Sequence, residues 1–278
     1  MDDPRDLLRT AIESGDTPFD VGRVALALAA FDRAAIPLDR YLDHLDELAD
    51  DARREISGPD VDSGDVHARL AALRAAIVDR HHYRGDTLTY DDLQNANLMR
   101  VIDRRKGLPV TLGILYMATG VRLGWPVAGL NFPGHFLIRI EGTDGGRIIA
   151  DPFNDGREVG APQLRELLKT AMGADAELEA GHYATVEPVD VLLRLQNNVK
   201  LRRVRAGDVA GALDTVETMM IVAPDRAELM REAGLMNAHL ERYAAATEWL
   251  GRYVAVETEP GARHRAAALL QELRTRLS

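Results

Sequence analysis

The chain of 278 residues contains no cysteine. That absence excludes disulfide staples, thiolate metal sites and thiol nucleophiles together. Aromatic residues make up only 5% of the sequence, too few to suggest a base-stacking surface. Positive charge is also in deficit. The 34 lysines and arginines face 44 aspartates and glutamates, a formal net charge of −10. A sequence-independent binder of the nucleic-acid backbone needs the opposite balance, so no nucleic-acid partner is expected. Long apolar runs are missing as well. The longest, Val24 to Phe31, falls far short of the roughly 20 residues that cross a bilayer. The acidic opening Met1-Asp2-Asp3-Pro4-Arg5-Asp6 is unlike a signal peptide. These absences predict a cytoplasmic protein without a membrane partner.

What is present is a globular composition, 46% hydrophobic and 28% charged. The length supports one large domain or two ordinary ones. From Pro37 the apolar residues Leu38, Leu42, Leu45, Leu48, Ala49, Ala52 and Ile56 fall at helical spacing, until Ser57-Gly58-Pro59 interrupts. Ser63 is placed to cap a second helix with the stripe Val66, Leu70, Leu73, Ile77 and Val78. Pro109 suits the first position of a helix that Gly124 stops. Its apolar residues cover nearly every face, so this helix is expected to be buried. Three strands are expected next, at Val127–Asn131, His135–Glu141 and Arg147–Asp151. The turn Gly142-Thr143-Asp144-Gly145-Gly146 should make the last two a hairpin. A buried helix followed by a small antiparallel sheet is an α+β arrangement.

The last third is helical again, and it repeats. Gly207-Asp208-Val209-Ala210-Gly211-Ala212 recurs in pattern as Glu241-Arg242-Tyr243-Ala244-Ala245-Ala246, 34 residues later. That is the tetratricopeptide period. Ala212, Val216 and Pro224, then Gly234, Ala246 and Leu250, occupy its characteristic positions. Lys200 and Thr258 depart from the pattern. The expected organisation is an N-terminal helical region over 1–88, a core over 89–185 and helical repeats over 186–278.

Three polar residues stand where chemistry could be placed. Thr111 lies in the first turn of the buried helix, where the helix dipole and free N–H groups favour developing negative charge. The plainer reading is a helix-start hydroxyl bonded to backbone. His135 opens an expected strand and could act as a base, or be a histidine satisfied by Asp151. Asp151 ends the next strand and could orient that ring or form a turn. His81 and His82 are adjacent, so their side chains diverge on a helix. No metal or other cofactor is expected.

The stretches Arg104-Arg105-Lys106-Gly107-Leu108-Pro109-Val110-Thr111-Leu112-Gly113-Ile114-Leu115-Tyr116, Leu123-Gly124-Trp125-Pro126-Val127, Asn131-Phe132-Pro133-Gly134-His135-Phe136-Leu137 and Asp151-Pro152-Phe153 carry a specific resemblance. Together they resemble the bacterial transglutaminase-like plus tetratricopeptide family, sometimes labelled the SirB type. The lead-in Asn95-Ala96-Asn97-Leu98 and the C-terminal repeats match that layout. The resemblance implies a papain-like core flanked by helices. It also implies that His135 and Asp151 match the histidine and aspartate of the thiol enzymes, and that the cysteine position falls at or beside Thr111. A threonine hydroxyl must lose its proton as it attacks, and its methyl crowds the approach.

Two functional readings follow. In one, the chain is a non-catalytic protein-binding or regulatory protein, whose old cleft takes a protein or an extended peptide segment and whose repeats add a second surface. In the other, Thr111, His135 and Asp151 form a triad that hydrolyses or transfers an amide or ester.

Overall fold

A computed structural model of the protein describes residues 3–13, 19–58 and 62–277. Met1, Asp2 and Pro59, used in the sequence reading, lie outside these. By internal contacts the chain divides into two compact units, Met1–Leu195 and Gln196–Ser278.

The first unit opens with α1 (Pro4–Glu13), α2 (Val21–Ala29), α3 (Asp39–Glu55) and α4 (Val66–Arg74), which runs on as a π-helical stretch over Ala75–Arg80. Then come β1 (Arg84–Gly85), α5 (Leu98–Arg104), β2 (Lys106–Gly107) and α6 (Pro109–Leu123). Four strands follow, β3 (Val127–Gly129), β4 (Ile138–Glu141), β5 (Arg147–Asp151) and β6 (Arg157–Glu158), then α7 (Ala161–Met172) and the start of α8 (Pro188–Arg205).

The buried helix is α6. Every residue from Pro109 to Gly120 is buried. Pro109 occupies the first turn, where its missing N–H costs nothing, and Gly124 takes the left-handed conformation that closes the helix (φ +69°). The helices α2 and α3 and the strand β3 all pack on α6. A fully buried Leu or Ile contributes about 1.5–3 kcal/mol, so this helix anchors the unit. Gly113 admits the Phe136 ring, since a Cβ there would lie 2.3 Å from Cε1. At the far end Arg122 reaches Asp46 of α3 (2.6 Å) and Asp20 (3.2 Å), the residue whose carboxylate caps α2.

The sheet is antiparallel in the order β3-β4-β5-β6, and β1 and β2 form a separate parallel pair. Ile138 pairs with Ala150 and Glu141 with Arg147, as the expected hairpin requires. Leu164 and Leu168 of α7 close a second apolar cluster with Leu130, Phe132 and Leu137. The architecture is the mostly helical α+β fold that the sequence implies.

Two local expectations are corrected. Asp65, not Ser63, caps α4, accepting from the N–H groups of His67 and Ala68. A carboxylate is the stronger acceptor at a helix N-terminus. His135 also lies three residues ahead of β4 and not in it. Its carbonyl accepts from the Arg194 side chain (2.6 Å).

The second unit contains the end of α8, then α9 (Val209–Val222), α10 (Ala227–His239), α11 (Tyr243–Val256) and α12 (Pro260–Leu277). The bounds of α9 and α11 are themselves 34 residues apart. Ala212, Val216, Ala246 and Leu250 are all fully buried, and Gly234 lets Leu250 approach closely. Lys200, which stands in place of a glycine, is buried and paired with Glu232 at 2.6 Å.

Overpacking at the α6–Phe136 contact gives a direct test of this core. Gly113→Val should cost about 1–3 kcal/mol, read as a lower urea midpoint with an unchanged slope. An unchanged midpoint would mean that α6 does not hold Phe136 this closely.

Candidate functional site

The hairpin register fixes where the candidate histidine lies. Because Ile138 pairs with Ala150, the residues ahead of β4 run past Asp151 at the end of β5. That approach segment, Phe132 to His135, is held by Arg194 from α8. Both terminal nitrogens of Arg194 donate to the Phe132 carbonyl at 3.2 Å, and the guanidinium lies over the Phe136 ring. Gly134 supplies the left-handed turn (φ +70°) between these contacts.

His135 Nε2 lies 2.9 Å from Asp151 Oδ2. The approach is out of line with the ring N–H, so it is an electrostatic contact and not an aligned hydrogen bond. Asp151 serves a second purpose. It caps the short turn Pro152–Asn154, accepting from the N–H groups of Phe153 (3.0 Å) and Asn154 (3.3 Å) and from the Asn154 side-chain amide (2.7 Å). Burial works to raise the Asp151 carboxyl, but His135 and the donors of the turn outweigh it and hold the group below the ordinary carboxylate value. Both readings of Asp151 therefore describe the same side chain.

The His135 ring meets Phe153 edge-on at 6.3 Å, and Phe153 meets Tyr90 edge-on at 5.8 Å. Gly85 makes room for Phe153, since a Cβ there would lie 2.6 Å from both its ring and its carbonyl oxygen. The His135 side chain is 17% exposed and Tyr90 42%. Leu88 and Leu93, on the same loop as Tyr90, are exposed as well.

Thr111 takes a different direction. Its side chain is fully buried, and its hydroxyl donates to the Asn95 carbonyl at 2.8 Å. The Leu108 N–H donates to the same carbonyl at 3.1 Å. Among the described residues, no hydrogen bond joins Thr111 to His135 or Asp151. The structure thus brings His135 and Asp151 together and ties Thr111 to the segment before α6.

That segment has its own scaffold. Asp86 is buried and accepts from the Thr89 hydroxyl (2.6 Å), the Thr89 N–H (3.0 Å), the Leu88 N–H (3.2 Å) and Arg104 (3.1 Å). The Thr89 hydroxyl is the main reason that the Asp86 carboxyl sits far below its ordinary value. Asn95, fully buried, donates to the Thr89 carbonyl and accepts from Arg104. Asn97 caps α5. Sequence reading passed over Asp86, Phe153, Tyr90 and Arg194 as site residues. Asp86 and Thr89 do carry a local signal in their Asx-type spacing. Arg194 is 59 residues from His135 and carries none.

The transglutaminase-like superfamily model matches residues 39–197. The chain belongs to the transglutaminase-like superfamily. A tetratricopeptide repeat model matches residues 199–271. A UPF0162 protein of Pseudomonas aeruginosa is 30% identical over 200 residues, which is 72% of this chain and 71% of that one. A UPF0162 protein of Xylella fastidiosa is 29% identical over 189 residues, 67% of each chain. Human F-box only protein 21 is 26% identical over 181 residues, covering 62% of this chain and 28% of that protein. The resemblance to a bacterial family of transglutaminase-like core plus tetratricopeptide repeats is borne out, and this superfamily member lacks the cysteine of the thiol enzymes.

Asp86 gives a pH-dependent prediction. A carboxyl lowered in the native state contributes stability that is complete above the unfolded value of about 3.9 and is lost as pH falls through the native value. Asp86→Asn should cost about 3 kcal/mol at pH 7, because Arg104 loses its buried partner. In urea unfolding, that difference should shrink as pH falls below about 4. A difference constant with pH would remove the ionised carboxylate from the account.

Proposed function

We propose that this member of the transglutaminase-like superfamily is a cytoplasmic, non-catalytic protein of the SirB type that binds another protein, with a regulatory role. In this reading the surface around His135, Phe153 and Tyr90 receives an extended peptide segment, and the tetratricopeptide unit offers a second protein-binding face. The observation that carries the reading is the Thr111 hydroxyl, which is sealed from solvent and given to the Asn95 carbonyl. A nucleophile has to meet both its base and its substrate. His135, by contrast, is partly exposed and meets Phe153 edge-on, and Phe153 in turn meets Tyr90, on the loop that also exposes Leu88 and Leu93. Apolar and aromatic side chains flanking one polar ring suit recognition of a segment with an apolar anchor.

The tetratricopeptide match supports interaction with protein in general. On that unit Leu235 is exposed, and it lines a groove with Tyr253, Leu269, Arg231 and Arg265. The rival triad reading needs Thr111 to leave Asn95 and to become open to solvent.

Two measurements decide between the readings. A broad activity-based probe for serine and threonine hydrolases should label neither the wild type nor Thr111→Val. Labelling of the wild type that Thr111→Val abolishes would sink the non-catalytic reading. Thr111→Val should instead cost about 1–3 kcal/mol of stability, since a buried acceptor loses a donor. Affinity capture from the source organism should return a partner that Phe153→Ala or Leu235→Asp loses while the fold, read by circular dichroism, persists. Capture of no partner by the wild type would count against the binding reading.

A further inference from the structure

A second polar cluster lies in the first unit, outside the His135 surface. His44, on α3, has Nδ1 2.8 Å from Glu47 Oε2 and Nε2 2.8 Å from the Tyr83 hydroxyl. His81, which follows the π-helical stretch, has Nε2 2.7 Å from Asp51 Oδ2. The two imidazoles meet edge to face, with centroids 5.0 Å apart. One ligand atom from each of His44, Glu47 and His81 lies within 4.8 Å of the other two. Both histidines are about nine-tenths buried, whereas Glu47 is 57% exposed.

Two features set this cluster apart from an ordinary polar patch. Each imidazole is held at Nε2 by a further group, a phenol for His44 and a carboxylate for His81. Metal-ligating histidines are supported in this way, which fixes ring orientation and leaves the other nitrogen for the ion. The backbone beside His81 is also irregular. The helix widens to π geometry over Ala75–Arg80, and His82 adopts φ +59°. Such departures carry a cost and gather at functional sites. Here they bracket the one residue of that segment whose ring contacts both His44 and Asp51 on α3.

We propose that His44 Nδ1, Glu47 and His81 Nδ1 form a binding site for a divalent transition-metal cation of the zinc class, with Tyr83 and Asp51 orienting the two imidazoles. Two nitrogens and one carboxylate are an ordinary three-ligand set for zinc and leave a fourth position for water. Glu47 lies on the solvent side and supplies the route in.

Arg105 defines what loading must change. It approaches both His44 Nε2 and the Tyr83 hydroxyl, and a guanidinium only donates. Without metal, the His44 proton therefore sits on Nδ1, facing Glu47. Loading moves that proton to Nε2, where the Tyr83 oxygen accepts it, and Arg105 turns to Tyr83 alone. His81 needs no such change, because its Nε2–H already points at Asp51. The cation ties α3 to the end of the following helix across the sequence gap between Glu47 and His81.

The test uses the tag-free full chain with zinc chloride as probe. Metal content after desalting, and competition against a chromophoric zinc chelator, should give one zinc per chain. Glu47→Gln removes an exposed carboxylate and leaves the fold intact, and it should weaken binding at least tenfold, as should His81→Asn. His67→Asn, on the exposed His67–Glu158 pair, should bind as the wild type does. Zinc should raise the melting temperature of the wild type and not that of Glu47→Gln. A wild type with no stoichiometric zinc overturns the site, and so does equal affinity in the wild type and Glu47→Gln. Neither outcome bears on peptide binding at His135.

Discussion

The fold of the first unit depends on one constraint: α6 has no solvent face over Pro109–Gly120. On a helix buried all round, a polar group without a partner is costly. Its first-turn hydroxyl therefore needs an acceptor, and the segment before the helix supplies one in the Asn95 carbonyl. That carbonyl is itself fixed, because the Asn95 side chain is locked to Thr89 and Arg104, and these in turn to Asp86. The chain from Asp86 to Thr111 is thus a single polar network serving an apolar helix. Its outward result is the loop that presents Leu88, Tyr90 and Leu93 to solvent.

This explains why threonine at this place is chemically unlike cysteine. A thiol is a weak hydrogen-bond donor and can lie at a helix start without engaging a carbonyl. A hydroxyl buried in the same place forms the strongest hydrogen bond within reach. Having formed it, the group is a poorer nucleophile than its position suggests, because attack would break that bond and leave the carbonyl with the Leu108 N–H alone. A hydroxyl in this place thus differs from a thiol in its packing as well as in its reactivity.

Much of this was legible in the sequence where the signal is local. Pro109 and Gly124 mark both ends of α6 correctly because a first-turn proline and a left-handed glycine act through their own backbone. The hairpin, the 34-residue repeat and the pairing of small with large residues in the second unit follow from periodicity for the same reason. What escaped was the part that depends on distant partners. The strand β4 starts at Ile138, and the His135 carbonyl ahead of it accepts from Arg194, 59 residues away. His81 read as half of a divergent pair with His82, since its real neighbours are on α3 and the π-helical turn that sets its direction has no sequence signature. Within one helix, the i, i+3 spacing of His44 and Glu47 was readable, but two ligands without a third do not suggest a site.

The His135–Asp151 contact needs no catalytic explanation to exist. Asp151 ends β5 and must turn the chain into Pro152–Asn154, and three donors hold its carboxylate for that purpose. A carboxylate so placed, mostly buried and ionised, attracts whatever donor the hairpin register brings past it, and the register brings His135. The pair therefore follows from a turn and a hairpin, with or without a nucleophile at α6. The same geometry leaves the imidazole beside Phe153, which Tyr90 meets in turn, with the Asp151 carboxylate on its Nε2 side. An imidazole in that setting can donate or accept without reacting, which is what recognition of a polar backbone group requires.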